Sequence, residues 1–287
     1  MQILVTGATG FIGSHLMEVI PSEHKVYTMG RDGIIPQIAL DICIHLAWNV
    51  RPGYQSNPDN FDWIQYTKSL AYALQELKCK RFVGVGTCAE YMSSPEPLQE
   101  DALLGADSLY AIAKTDTFFA LQDTSMSVAW GRVFQPYGPR ERPERLIPSV
   151  ITSLLKGVSV ETSPGEQVRD FIHVEDVATA IWKVAESSLV GAVNIGTGKP
   201  TKVKEVVNSL GTMLSRPELI LPYLSGTLDS YYANNEQLRS LGWEPKYALR
   251  NGLKSAIEWW SHEISRNLPN RTSACPAKQN VFYPGRG

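Results

Sequence analysis

The chain has 287 residues, with 27 Lys and Arg against 29 Asp and Glu, a formal net charge of −2, and 43% apolar residues. That is enough chain for one large domain or two joined ones, and the near-zero charge offers no electrostatic footprint for binding nucleic acid. Cys43, Cys79, Cys88 and Cys275 form no CxxC pair, so neither a metal site nor a disulfide framework is expected. With no apolar run near the roughly 18 residues of a membrane helix and no basic leader, a reduced, cytoplasmic protein with no membrane partner is expected.

The first elements alternate strand and helix. Ile3, Leu4 and Val5 read as a buried strand, 11–20 as a helix and 24–29 as a second strand. Two more β-branched runs, 42–47 and 81–86, have the composition of strands covered on both faces. The pattern predicts a parallel α/β sheet.

Between the first strand and helix lies Thr6-Gly7-Ala8-Thr9-Gly10-Phe11-Ile12-Gly13. A glycine turn opening a helix aims backbone N–H groups at a pyrophosphate, and the glycines admit it closely. Gly7, Thr9, Gly10, Phe11, Ile12 and Gly13 are therefore candidate dinucleotide contacts. At the end of the second strand, Gly30 stands where an acidic residue would hold the ribose 2′-hydroxyl of NAD, and Arg31 follows it. Arg31 favours the 2′-phosphate of NADP, while the neighbouring Asp32 keeps NAD open.

A long helix is expected over 60–77, apolar on more than one face through Phe61, Trp63, Ile64, Tyr66, Leu70, Tyr72, Leu74 and Leu77. It is either deeply buried or part of a homodimer interface. Ser108 to Lys114 reads as a helix start, and i,i+4 spacing puts Tyr110 and Lys114 on one face. A phenol with pKa near 10 is a poor base, and a neighbouring ammonium lowers it by about 1–3 units. Such a tyrosine exchanges a proton with a carbonyl or alcohol as hydride moves. Beyond Pro136 the chain becomes proline- and charge-rich, and Arg132, Arg140, Arg142 and Arg145 either face an anion or lie in a solvated loop. Residues 267–287 lack periodicity, so a tail that is loosely ordered or wrapped on the surface is expected.

Taken together, these segments resemble the extended short-chain dehydrogenase/reductase family of nucleotide-sugar epimerases, dehydratases and reductases. The match rests on TGxxGxxG at 6–13, His45-Leu46-Ala47, Gly86-Thr87-Cys88-Ala89-Glu90-Tyr91, Tyr110 with Lys114, and Arg132 to Pro139. Leu146-Ile147-Pro148, the QxRDFxxVxD-like run 167–176, Asn194 to Gly198 and Leu241-Gly242-Trp243 continue it. The resemblance implies a Rossmann-type doubly wound sheet with a smaller C-terminal substrate-binding α/β domain. The nucleotide-binding part would span 1–135 with 170–196 returning to it, and the sugar-nucleotide part 136–169 and 197–266. Thr87, Tyr110 and Lys114 would be catalytic, Leu46, Ala47, Tyr110 and Lys114 would contact the cofactor, and Thr87, Gln135 and Arg169 would meet the substrate. For Arg169 the plain alternative is a salt bridge to Asp170 or Glu175. His173 and Cys88 are expected to be packing residues.

Two departures stand out. Only nine residues separate Arg31 from Asp41, so the third strand and its helix are trimmed or missing, and Gln135 replaces an Asn. In the dehydratases of the family, acidic residues follow the catalytic Thr; here Cys88 and Ala89 stand there, and Glu90 is one place off. The expectation is therefore NADPH-dependent reduction of the 4-keto group of a nucleotide-linked 4-keto-6-deoxyhexose, a step of deoxysugar biosynthesis. An NAD-dependent nucleotide-sugar 4-epimerase is the alternative, and a non-catalytic dinucleotide-binding sensor the alternative of a different class.

Overall fold

The computed structural model describes residues 1–30, 33–222, 226 and 228–267. In chain order its first elements are β1 (Gln2–Thr6), α1 (Phe11–Val19), β2 (Lys25–Met29), β3 (Ile42–His45), α2 (Asn60–Glu76), β4 (Arg81–Thr87), α3 (Leu109–Leu121) and β5 (Ser127–Val133). Then come β6 (Gln135–Tyr137), α4 (Leu146–Leu155), β7 (Val160–Thr162), β8 (Val168–Arg169), β9 (Phe171–His173), α5 (Val174–Glu186) and β10 (Gly191–Ile195). The last are β11 (Thr201–Lys202), α6 (Val203–Met213), β12 (Ile220–Pro222), β13 (Ser230–Tyr231), α7 (Glu236–Ser240) and α8 (Leu249–Asn267).

Six parallel strands form one sheet in the order β10-β5-β4-β3-β1-β2. The strands are apolar on both faces because both are covered, and successive side chains divide between two cores. Ile3, Val5, Ile42, Ile44, Val83 and Val85 pack in the core that also holds Leu16 and Val177, on the α1 and α5 side. Leu4, Cys43, Phe82, Val128 and Trp130 face Leu70, Leu74 and Leu121 of α2 and α3. This is the Rossmann-type arrangement expected, with one strand fewer at the β2 edge. Among the described residues of 33–41 there is neither strand nor helix, so β2 is the sheet edge.

A separate core gathers Ile147, Val150, Ile151 and Leu154 of α4, Val206 and Leu210 of α6, and Leu253 and Ala256 of α8. The small pairings β11-β8-β13, β12-β7 and β6-β9 surround it and carry Gln135 and Arg169. Helix α2 is not deeply buried. One stripe, Asn60, Thr67, Leu70, Ala71 and Leu74, is buried, while Phe61, Tyr66 and Tyr72 are exposed. The expected tail lies outside the described residues from 268 onward, as does Arg31. Among the described residues no helix is long and apolar enough to cross a membrane.

Candidate active site

The glycine turn and the segment after β3 meet at the C-terminal ends of β1 and β3, where an α/β sheet presents its binding crevice. Gly7 has φ +70°, and a Cβ there would lie 2.7 Å from Ala47 N. A Cβ on Gly13 would collide with Gly7 O. Thr6 locks the two segments together: its Oγ1 accepts from Ala47 N at 3.2 Å and bonds His45 Nδ1 at 2.8 Å. Helix α1 is entered from Gly10, with no side-chain cap and no acid in its first turn. The first N–H groups of a helix have no acceptor within it, so this uncapped end suits a pyrophosphate. Thr9 and Gly10 are exposed and Phe11 and Ile12 half-buried at that mouth, with Leu46 and Ala47 half-buried beside it. A dinucleotide fits this donor set; the 2′-phosphate reading rests on Arg31 and stays outside the described residues.

Thr87 ends β4, and its hydroxyl oxygen accepts from Ala89 N at 3.2 Å while Glu90 Oε1 accepts from Thr87 N at 2.9 Å. The hydroxyl proton is thus left for another acceptor. Ser108 caps α3 by accepting from Ala111 N at 3.2 Å, which orients the first turn carrying Tyr110. The Lys114 ammonium donates to Val85 O at 2.7 Å and lies 5.9 Å from the Tyr110 ring centre.

The expected lowering of the phenol does not occur in this arrangement. Burial raises the Tyr110 pKa well above its ordinary value, and Tyr54, Glu90 and Cys88 add to it against an opposing Arg145. Lys114 is itself pushed down to about 7 by burial, with Glu90 favouring its charge. At neutral pH Tyr110 holds its proton. Burial pushes the Cys88 thiol up to about 12, which makes it the packing residue expected.

Glu90 is committed elsewhere. It is fully buried, with Oε2 2.8 Å from Arg132 Nε and Oε1 3.0 Å from Trp130 Nε1. Arg132 also donates to Tyr91 Oη and Glu100 O, so it is a buried core residue and not part of a solvated loop. The other loop arginines are held by Glu18 (Arg140), Val50 O (Arg142) and Glu141 (Arg145).

Arg169 pairs with Asp229 at 2.7 Å rather than with Asp170 or Glu175. Its charge still reaches Cys88, next to Thr87. Asp170 is fully buried and accepts from Thr197 N, Gly198 N and Ala233 N. Gln135 is half-buried at the start of β6, its N–H donated to Asp170 O. His173 is buried, stacks on Tyr247 at 3.9 Å and is pushed down to about 4 by burial, a packed neutral histidine.

A family model described as "NAD dependent epimerase/dehydratase family" matches residues 3–196. The chain belongs to that family. A relative from Arabidopsis thaliana, a trifunctional UDP-glucose 4,6-dehydratase/UDP-4-keto-6-deoxy-D-glucose 3,5-epimerase/UDP-4-keto-L-rhamnose-reductase, is 25% identical over 91% of this chain. The chain spans only 47% of that relative's length. A UDP-glucose 4-epimerase of Rhizobium leguminosarum bv. trifolii is 31% identical over 67% of this chain and 68% of its own. The solved structure of MoeE5 in complex with UDP-glucuronic acid and NAD is similar at TM-score 0.80 and 29% identity, covering 92% of this chain and 100% of that one.

Within this epimerase/dehydratase fold, three residues near the centre were not singled out by sequence reasoning. Trp48 lies over Lys114, Tyr54 meets Tyr110 edge-on at 4.8 Å, and Asn60 joins the two. Trp48 and Tyr54 carry one sequence signal, aromatic residues in the stretch that follows His45-Leu46-Ala47, and Asn60 carries none.

Proposed function

We propose that the protein reduces the 4-keto group of a nucleotide-linked 4-keto-6-deoxyhexose, with Thr87, Tyr110 and Lys114 as the catalytic residues. When bound, a reduced nicotinamide dinucleotide supplies the hydride. Gly7, Thr9, Gly10, Phe11, Ile12 and Gly13 would hold its pyrophosphate side, and Leu46 and Ala47 would line it. We favour NADPH from the Arg31 position.

The observation that carries this reading is the confinement of Glu90. A dehydratase needs an extra acid and base beside the sugar, and Cys88, Ala89 and a Glu90 locked to Arg132 and Trp130 supply neither. What remains near Thr87 is a set suited to one proton delivery. The Thr87 hydroxyl donates to the substrate oxygen, and the protonated Tyr110 phenol gives that oxygen its proton as the C4–H bond forms. Arg169 and Gln135 would meet the sugar nucleotide, with guanidinium the natural partner of phosphate oxygens. Purified protein, NADPH and a nucleotide-linked 4-keto-6-deoxyhexose should show stoichiometric loss of nicotinamide absorbance.

A 4-epimerase is the second reading, favoured by the 4-epimerase relative and by the NAD in the MoeE5 complex. It predicts retained NAD, no net absorbance change and interconversion of two sugar nucleotides. The exposed Phe61 and Tyr72, eleven residues apart and so on one side of α2, together with Phe119 of the adjoining α3, support a homodimer formed through these helices.

A further inference from the structure

Lys114 is a buried ammonium that, among the described residues, is paired with no carboxylate. What lies against it is aromatic: the Trp48 ring centre is 3.7 Å from Nζ, with the Trp130 and Tyr110 rings at 5.7 and 5.9 Å. The electron-rich face of an indole attracts a cation, most strongly where water is excluded.

The indole is fixed on three sides. Its Nε1 donates to Asn60 Oδ1 at 2.8 Å, and its ring stacks on Trp63 at 5.7 Å and meets Tyr110 edge-on at 6.3 Å. Asn60 is 2% exposed and spends its whole amide here, donating to Tyr54 O at 2.6 Å and Asn57 O at 2.8 Å. Because an indole N–H only donates and those carbonyls only accept, the amide has one workable orientation.

We propose that Trp48 is a positioning residue for the proton transfer at Tyr110: its indole face keeps the Lys114 ammonium charged and in place, the part a carboxylate would otherwise play, and Asn60 keeps the indole in register.

The groups facing Lys114 leave this role open to Trp48. Glu90, in the turn after β4, favours the charge from a distance and is spent on Arg132. His45 of β3 is neutral, pushed down to about 3 by burial and by Lys114 itself. Tyr110, one turn earlier on α3, is neutral as well. Burial leaves Lys114 near 7, where modest support for the ammonium decides its charge.

The inference rests on the hydride-transfer reading for its kinetic arm alone. In the cofactor-free protein labelled with fluorotryptophan, the Trp48 fluorine resonance is assigned by its loss in Trp48→Phe and followed from about pH 5.5 to about pH 10. It should titrate near 7 and be flat in Lys114→Met; a flat wild-type resonance, or an unchanged titration in Lys114→Met, overturns the proposal. In the kinetic arm, Trp48→Leu should move the alkaline limb of kcat/KM down by about one pH unit, and Trp48→Phe by less. The KM for the sugar nucleotide should hold. An unmoved limb in Trp48→Leu also overturns it. Absence of turnover in wild type, with the fluorine titration intact, would instead sink the reductase reading and leave the Trp48 contact standing.

Discussion

Arg132 and Glu90 form an ion pair of 2.8 Å with both side chains out of water, at 2% and 0% exposure. Glycine makes the room for it: a Cβ on Gly86 would collide with Glu90 Oε1 and Trp130 Nε1. Breaking such a pair from one side strands a buried charge and costs about 3–5 kcal/mol. Arg132→Met should therefore lower the urea midpoint strongly, and Arg132→Met with Glu90→Gln should recover part of the loss. Equal destabilisation by the single and double variants would contradict the pairing.

Glu141 makes the pH dependence of stability readable. Burial pushes its carboxyl up to about 8 from an ordinary 4.5, against an opposing Arg145. The folded chain then keeps a proton that the unfolded chain releases, so this residue's effect on stability is most favourable below about 4.5 and declines as pH rises through about 8. Glu141→Gln should raise the urea midpoint at pH 8 to 9 and change it little near pH 4. A midpoint difference independent of pH would refute this.

The sheet, the glycine turn and the Tyr110–Lys114 pair were legible in the sequence because each is a local pattern. A β-branched strand, a turn opening a helix and an i,i+4 spacing need no distant partner to be recognised. The rest depends on residues brought together by the fold. Arg132 meets Glu90 across 42 positions and Arg169 meets Asp229 across 60, so nothing at either residue names its partner. The Tyr110 phenol departs from its expected lowering for the same reason. Helical spacing sets Lys114 beside Tyr110, but burial, which the spacing does not reveal, decides which way both groups shift.

The α2 and α3 faces predict the assembly. Tyr72 and Phe119 are 42% and 55% exposed, and a homodimer would cover them. Tyr72→Glu with Phe119→Glu should halve the mass seen by sedimentation without altering the far-UV spectrum. A wild-type monomer, or a variant dimer, would rule out this face.

Gly13 tests the pyrophosphate cradle. Gly13→Ala puts a Cβ into Gly7 O, distorting the turn that admits the dinucleotide. Dinucleotide affinity by calorimetry should drop at least about tenfold, equivalent to 1.4 kcal/mol, while the helix content of the protein persists. Unchanged affinity would mean that the dinucleotide does not sit at this turn.

The most direct measurement is the rate of NADPH loss with a nucleotide-linked 4-keto-6-deoxyhexose, in wild type and in Tyr110→Phe. One NADPH should disappear per sugar reduced in wild type. Tyr110→Phe should lose about 10²–10⁴-fold in kcat, the usual worth of a positioned proton donor, with dinucleotide affinity retained. Full turnover by Tyr110→Phe would contradict the assignment of the proton to that phenol.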